Sequence, residues 1–285
     1  MFKDKKISFI GAGVMGQAMI AGIIKNELVS AKNVLAAGPR KERVDELAQQ
    51  YKISPYTDNV EAGKQADVLV LAVKPQRLEH VLQELEGNIQ KGSLVLSIVA
   101  GASIKKISSL LGHTLIVRAM PNTPARIGQG ITVWTASNAV TADQHEFARQ
   151  ILSALGQEVN VSEEEFLDKA TALSGTGPAY VYMFMEAMVD AGVHLGFSRR
   201  IAEQLVIETI RGSVNYYDRG DDSRHLARLR NQVTSPGGTS AEAIYYLEKA
   251  GFRTAISRAI WAAYERSVSL GKGQADRTPS DLSTD

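Results

Sequence analysis

"FIGAGVMG" (residues 9–16) places three glycines, Gly11, Gly13 and Gly16, in the pattern G-x-G-x-x-G directly after the apolar run "KISFI" (6–10). The spacing has physical reasons. Gly11 allows a tight turn, Gly13 lets backbone approach a pyrophosphate, and Gly16 lets the next helix pack closely on the strand. The first amides of that helix then face the phosphates. The same letters occur in glycine-rich turns of unrelated α/β proteins, so the surroundings decide. Here a strand precedes the motif, a helical pattern follows it and a βαβ unit encloses it, which reads as dinucleotide binding.

Working outward, β-branched runs alternate with amphipathic stretches. Strands are predicted at 6–10, 33–38, 67–73, 93–99, 115–120 and 131–136, with helices near 15–27, 40–51, 76–86, 103–111 and 141–155. That alternation predicts a doubly wound, mostly parallel sheet of the Rossmann type. The fully apolar "VLVLAV" (68–73) suits a central strand covered on both faces. After "GQEVNVS" (156–162) the character changes to helical periodicity, with helices at 164–173, 178–195, 198–217, 223–232, 240–250 and 252–271. Ser198 reads as an N-cap, and Gly196 and Gly251 read as C-terminal glycines. The expected organisation is a dinucleotide-binding domain over 1–160, an all-helical domain over 161–272 and a frayed polar tail over 273–285.

Composition excludes several function classes. The 285 residues are 44% hydrophobic and 22% charged, with a formal net charge of +1, so neither nucleic acid nor an anionic membrane is an expected partner. No cysteine is present and the five histidines are scattered, which argues against a metal site and fits a reducing compartment. "MFKDKK" runs straight into the first strand with no room for a signal peptide, and no apolar run approaches the ~20 residues that span a bilayer. The expected location is the cytoplasm.

The end of the second strand bears on which dinucleotide binds. An NAD site places Asp or Glu there for the ribose 2′-hydroxyl, about 20 residues on from the glycines. The chain instead reads "AAGPRKER" (36–43), with Arg40, Lys41 and Arg43 and no carboxylate at the strand end. A 2′-phosphate suits that cluster, so NADPH is the expected cofactor, with NADH second. An exposed helix start bearing cations is the plain alternative, although cations gain nothing there from the helix dipole.

In the helical half, "ALSGTGPAYVYMFMEAM" (172–188) is a glycine- and hydroxyl-rich turn entering a long apolar helix, with Pro178 in its first turn. Met183, Phe184, Met185 and Met188 read as core packing. The stretch offers no lysine or histidine before His194 to move an alcohol proton. A substrate that already carries its proton, such as an iminium ion, needs only alignment and a hydrogen bond to its nitrogen. "VTSPGGTSAEA" (233–243), between two helical patterns, has four hydroxyls, two glycines and Glu242 as its one charge. It reads either as a capped interhelical turn or as an anion seat built from backbone amides.

Together these stretches resemble the Δ1-pyrroline-5-carboxylate reductase family. The resemblance runs over roughly 5–271 and rests on "FIGAGVMG", "AVKPQ" (72–76), "SIVAGASI" (97–104), "RAMPNTPA" (118–125), "LSGTGPAY" (173–180) and above all "VTSPGGTSAEA". It implies reduction of a cyclic imine to L-proline, the last step of proline synthesis, by hydride transfer from NAD(P)H. It places Gly11, Ala12, Gly13, Val14, Met15 and Gly16 on the pyrophosphate and Gly38, Arg40 and Asn59 on the adenosine 2′ side. Ala72, Val73, Lys74 and Pro75 would line the cofactor cleft, with Ala100 and Asn122 nearer the nicotinamide. The substrate side would take Ser174, Glu164, Ser235, Gly237, Gly238, Thr239 and Ser240, with Ser240 donating to the substrate nitrogen as the catalytic residue.

Glu164 can equally be part of a solvated helix start, and Lys74 and Asn122 ordinary turn residues. The family's usual pattern ends in threonine where this chain has Ser240, which keeps the hydroxyl but loses the β-branch. The resemblance implies homodimers, assembled further into decamers. Two other readings stay open on the residues: another NADP-dependent dehydrogenase of the hydroxyacid-dehydrogenase plan, or a non-catalytic dinucleotide-binding regulator.

Overall fold

A computed structural model describes residues 2–220 and 225–271. One compact unit takes in the chain up to Pro178 and again from Ala262, and a second is Ala179–Trp261. The expected tail at 273–285 and the first residues of the expected helix 223–232 fall partly or wholly outside the described residues.

The first unit is built on β1 (Ile7–Ile10), β2 (Val34–Ala37), β3 (Ser54–Tyr56), β4 (Val68–Leu71), β5 (Leu94–Ser97), β6 (Ile116–Met120), β7 (Gly130–Ala136) and β8 (Gly156–Asn160). They form one sheet in the order β3-β2-β1-β4-β5-β6-β7-β8. Among these pairs only β6 and β7 run antiparallel, Val117 facing Ala136. The helices around the sheet are α1 (Val14–Lys25), α2 (Lys41–Tyr51), α3 (Asn59–Gly63), α4 (Leu78–Leu85), α5 (Ile104–Leu111), α6 (Ala142–Ser153) and α7 (Phe166–Ala170).

Every residue of β1, β2, β4 and β5 is buried, and alternate residues serve opposite faces. Ile7, Phe9, Val68 and Val70 pack with Met19, Ile20 and Ile23 of α1 and Phe147 and Ile151 of α6. Ile10, Leu69 and Leu71 pack on the other face with Leu82 of α4 and Ile107 of α5. The chain winds outward through β1, β2 and β3, then crosses back to place β4 beside β1 on its other side. That reversal opens a crevice at the carboxyl ends of β1 and β4, where ligands of open α/β sheets bind.

Two strands and one helix were not anticipated. β3 has three residues with Pro55 in the middle, which an edge position tolerates because one side of the strand needs no donor. β8 reads "GQEVN", polar because it too is an edge, and it is held by register with β7 from Gly130↔Gly156 to Trp134↔Asn160. α3 spans five residues, started by Asp58, whose carboxylate accepts from the amides of Val60 and Glu61.

The first unit runs on past β8 to Pro178. α7 and the π-helical turn Thr171–Gly175 stay with the sheet, because ion pairs described below bind α7 to β6.

The second unit holds α8 (Gly177–His194) from Ala179 on, α9 (Arg199–Asp218), α10 (Leu226–Gln232), α11 (Thr239–Lys249) and the first half of α12 (Phe252–Gly271). Ser198 accepts from the amide of Ile201, the N-cap read from sequence. Val189, Ala202 and Val206 form a small core with Met185 and Met188. Met183 and Phe184 do not join it, being 74% and 41% exposed. α8 and α9 meet along one stripe, so the remaining apolar side chains of α8 face outward.

Trp134 is fully buried in β7, and its indole N–H donates to Glu158 Oε2 of β8 at 2.5 Å. Trp134→Ala removes both core volume and one side-chain bond to the edge strand. It should lower unfolding free energy by about 4 kcal/mol in urea titrations followed by far-UV dichroism.

Candidate active site

The glycine loop lies where its spacing put it. The Gly11 amide donates to the Ala37 carbonyl at 3.0 Å, extending the β1–β2 ladder by one residue before the chain turns. The turn needs φ +86° at Gly11, and a Cβ there would lie 2.6 Å from Val73 Cγ1. A Cβ at Gly16 would come within 3.0 Å of the Gly11 carbonyl oxygen and 3.4 Å of Ala72 Cβ, so α1 packs directly on the loop.

Gly13 differs. Its φ of −73° suits any residue, and a Cβ there would meet no protein atom within 4 Å. The protein leaves that space open, beside an α1 start with no side-chain cap. Of the four amides without helical partners at such a start, that of Gly13 donates to the Gly11 carbonyl at 2.9 Å, which leaves those of Val14, Met15 and Gly16. Open room over unpartnered donors fits a pyrophosphate, so the residues present suit a dinucleotide.

Ala72 continues β4, its amide donating to the Ile10 carbonyl at 2.9 Å, and Val73 backs Gly11. Lys74 is exposed, precedes a short 3-10 turn begun by Pro75, and forms no ion pair among the described residues. Ala100 follows β5, on the same carboxyl edge of the sheet. Ala12, Val14 and Met15 complete the loop, Val14 standing exposed at the first position of α1.

At the end of β2, Gly38 is buried and its amide donates to the Tyr56 carbonyl at 3.2 Å. The basic cluster that follows divides by partner. Arg43 donates to Gln17 Oε1 at 2.7 Å and pairs with Glu46 at 3.1 Å. Lys41 pairs with Asp45 at 2.7 Å, and that hydrogen bond holds its pKa above the usual lysine value. Arg40, exposed at the N-cap of α2, forms no ion pair among the described residues. A cation at a helix N-terminus faces an unfavourable dipole until an anion joins it. Asn59 sits at the first position of α3, after β3, and its amide is engaged by Glu84 Oε2 at 2.8 Å.

In the helical unit, Ser235-Pro236-Gly237-Gly238 forms a turn closed by the Gly238 amide on the Ser235 carbonyl at 3.0 Å. Proline second and a glycine with φ +70° third is the pattern of a type II turn. It delivers the chain to α11, whose N-cap is Gly238 without side-chain capping. Among the described residues, the hydroxyls of Ser235, Thr239 and Ser240 donate to no protein acceptor. Elsewhere hydroxyls at helix starts do cap: Ser103, Thr141 and Ser198 all accept from first-turn amides. The capped-turn alternative therefore does not describe 235–240.

Three expected site residues are engaged within the sheet unit. Asn122, buried, accepts from the Ile131 amide at 3.0 Å and donates to the Ser174 carbonyl at 3.2 Å. Ser174 Oγ donates back to the Ala170 carbonyl at 3.0 Å. Glu164 is no solvated helix start: its Oε1 accepts from the Ile104 amide at 2.7 Å and from Arg118 at 2.9 Å.

Known proteins resemble this chain over nearly its whole length. Residues 164–270 match the family model described as pyrroline-5-carboxylate reductase dimerisation, and 6–101 match that of NADP oxidoreductases, coenzyme F420-dependent. A pyrroline-5-carboxylate reductase of Synechocystis sp. is 41% identical over 267 residues, which span 94% of this chain and 98% of that protein. The chain belongs to the pyrroline-5-carboxylate reductase family. Another such reductase, of Escherichia coli, is 36% identical over 270 residues, 94% of this chain and 99% of its own. The crystal structure of a pyrroline carboxylate reductase of Plasmodium falciparum with NADP bound aligns with a TM-score of 0.87 at 33% identity, covering 94% of this chain and 99% of that one.

For this pyrroline-5-carboxylate reductase family member, sequence reasoning missed Arg118. It lies inside the quoted stretch "RAMPNTPA", mid-strand in β6 and only 4% exposed. Besides Glu164 it pairs with Asp168 of α7 at 2.9 Å, and Asp168 accepts from Ser267 Oγ of α12 at 2.8 Å. The available signal was an arginine in the middle of an otherwise apolar strand, which has to find carboxylates when buried. Arg118→Met leaves both carboxylates without their cation. With Glu164 and Asp168 still partly solvated, the loss should be about 2 kcal/mol, below the range for fully buried pairs, and thermal unfolding of the purified chain should report it.

Proposed function

We propose that the chain reduces Δ1-pyrroline-5-carboxylate to L-proline with NADPH. The observation that carries this is the 235–240 turn, where among the described residues the amides of Thr239 and Ser240 and three hydroxyls donate to no protein acceptor, and Glu242 is the one charged side chain in the first turn of α11. A carboxylate sits there against the amides of Thr239 and Ser240 and the positive end of α11, with no arginine needed. The Ser240 hydroxyl then donates a hydrogen bond to the lone pair that develops on the ring nitrogen as the C=N bond takes up hydride.

The substrate brings its own proton on that nitrogen, which accounts for the absence of lysine and histidine from 172 to 188. The dinucleotide supplies the hydride for the imine carbon. The chain's residues bind and orient it: the α1 amides meet the pyrophosphate, Gly13 makes room for it, and Val73 and Ala72 wall the cleft. Arg40 meets the 2′-phosphate, which relieves the cation at the α2 N-terminus and favours NADPH over NADH. Glu164, Asn122 and Ser174 fix the loops that border the reactants.

We further infer work in the cytoplasm, where a chain without cysteine forgoes nothing. Among the described residues no helix is long and apolar enough to cross a membrane. The outward apolar side chains of the helical unit, Met183 and Trp261 among them, support a homodimer built up further into decamers.

The purified chain should oxidise NADPH only when Δ1-pyrroline-5-carboxylate is supplied, read by loss of nicotinamide absorbance. Ser240→Ala should lower kcat on the order of 10²-fold, the scale of losing one donor aimed at the reacting group, while Ser240→Thr retains activity. Unchanged turnover in Ser240→Ala would remove the role assigned to that hydroxyl. Arg40→Glu favours the α2 helix start, so folding is preserved. It should raise KM for NADPH by about tenfold, one charge-assisted contact, and leave KM for NADH near native. An equal rise for both cofactors would contradict the 2′-phosphate assignment.

A further inference from the structure

The Arg118 guanidinium reaches, through two carboxylates, both sides of the loop that follows β5. On one side Glu164 Oε1 accepts from Arg118 Nη1 at 2.9 Å and from the amide of Ile104 at 2.7 Å. Ile104 opens α5, so the guanidinium holds the helix four residues after Ala100. On the other side Arg118 Nη2 binds Asp168 Oδ1 at 2.9 Å, and Asp168 takes the Ser267 hydroxyl at 2.8 Å. Ser267 lies in the last turns of α12, whose final residue, Gly271, lies against Gly101. A Cβ at Gly101 would fall 2.9 Å from the Gly271 amide nitrogen, and one at Gly271 would fall 2.7 Å from the Gly101 carbonyl oxygen. The Ala100–Gly101 loop is therefore held at Ile104 and at Gly271 by contacts that begin at one side chain.

The same guanidinium governs the neighbouring turn. α7 carries Asp168 and runs directly into Thr171–Gly175, where Ser174 bonds back to Ala170 and receives Asn122. A Cβ on Gly175 would fall 2.6 Å from Met120 Cε, so this turn also rests on β6, two residues beyond Arg118.

Stability alone does not call for an arginine here. A well-packed apolar side chain serves a core as well as a buried ion pair or better. A guanidinium differs in offering two donor forks at fixed separation, whereas a lysine ammonium is a single point charge. Resting on the reductase reading above, we propose that Arg118 is a positioning residue for hydride transfer. It sets the Ala100–Gly101 loop and the Thr171–Gly175 turn at fixed heights on the carboxyl edge of the sheet, and touches neither substrate nor cofactor itself.

The test compares the full-length native chain with Arg118→Lys and Ser267→Ala. The readouts are steady-state kcat and KM, fluorescence of the bound reduced nicotinamide, the dissociation constant of NADPH, and the melting temperature. Arg118→Lys keeps the charge and loses the double fork. Its kcat should fall on the order of 10²-fold, as expected when reacting groups are misplaced by about 1 Å, with bound-nicotinamide fluorescence altered and NADPH affinity at the native value. Ser267→Ala, which keeps the guanidinium and both of its carboxylates, should show a smaller loss confined to kcat.

The proposal is overturned by a native kcat in Arg118→Lys. It is equally overturned if kcat, NADPH affinity and melting temperature fall together in both variants, the mark of a merely structural pair. A native chain inactive on Δ1-pyrroline-5-carboxylate would sink the reductase reading and this inference with it. An active native chain with an unaffected Arg118→Lys would sink this inference alone.

Discussion

Burial of β1 and β4 on both faces is the constraint from which the rest of the sheet unit follows. "ISFI" and "VLVL" present no side to water, so helices must lie above and below, and parallel strands supply the crossovers that carry them. The backbone can then open to solvent chiefly at the strand ends. Hydrogen bonds running on past the strands, Gly11 to Ala37 and Ala72 to Ile10, carry the sheet's register into the loops. The glycine loop is thereby placed by the sheet, with its Ala12 and Met15 packed against the core.

Beyond β5 the organisation changes from burial to polar ties. β6 still contributes Val117 and Ala119 to one core face, yet Arg118 between them turns to the side of α5 and fastens α7 and α12. This explains why the sheet unit does not end with its last strand. A boundary drawn where strand patterning stops, near 160, follows the hydrophobic signal. The packing boundary at Pro178 follows carboxylates that periodicity does not register.

What the sequence made legible was what local rules govern. The glycine loop, the central strands, the cap at Ser198 and the long helices all express period or turn chemistry within a dozen residues. β3 and β8 were hidden because edge strands need not be apolar on both faces, and Pro55 argued against a strand in any other position. Arg118 was hidden because its partners lie 46 and 50 residues away. Met183 and Phe184 misled for the opposite reason: their apolar spacing is that of a core, and within one chain the core is absent. In the candidate site, the turns at Gly11 and at 235–238 follow from residue types. The engagement of Glu164, Asn122 and Asn59 by other elements does not.

The 235–240 turn has a further consequence. Its polar atoms are peptide amides and alcohols, and neither kind changes protonation over the range in which a protein stays folded. An arginine or histidine in that place would tie anion affinity to solution conditions or to the state of neighbouring carboxylates. The anion seat proposed for the turn is made of dipoles that do not titrate. On that proposal the ionisation that governs occupancy is the ligand's own, met by a turn that contributes no charge.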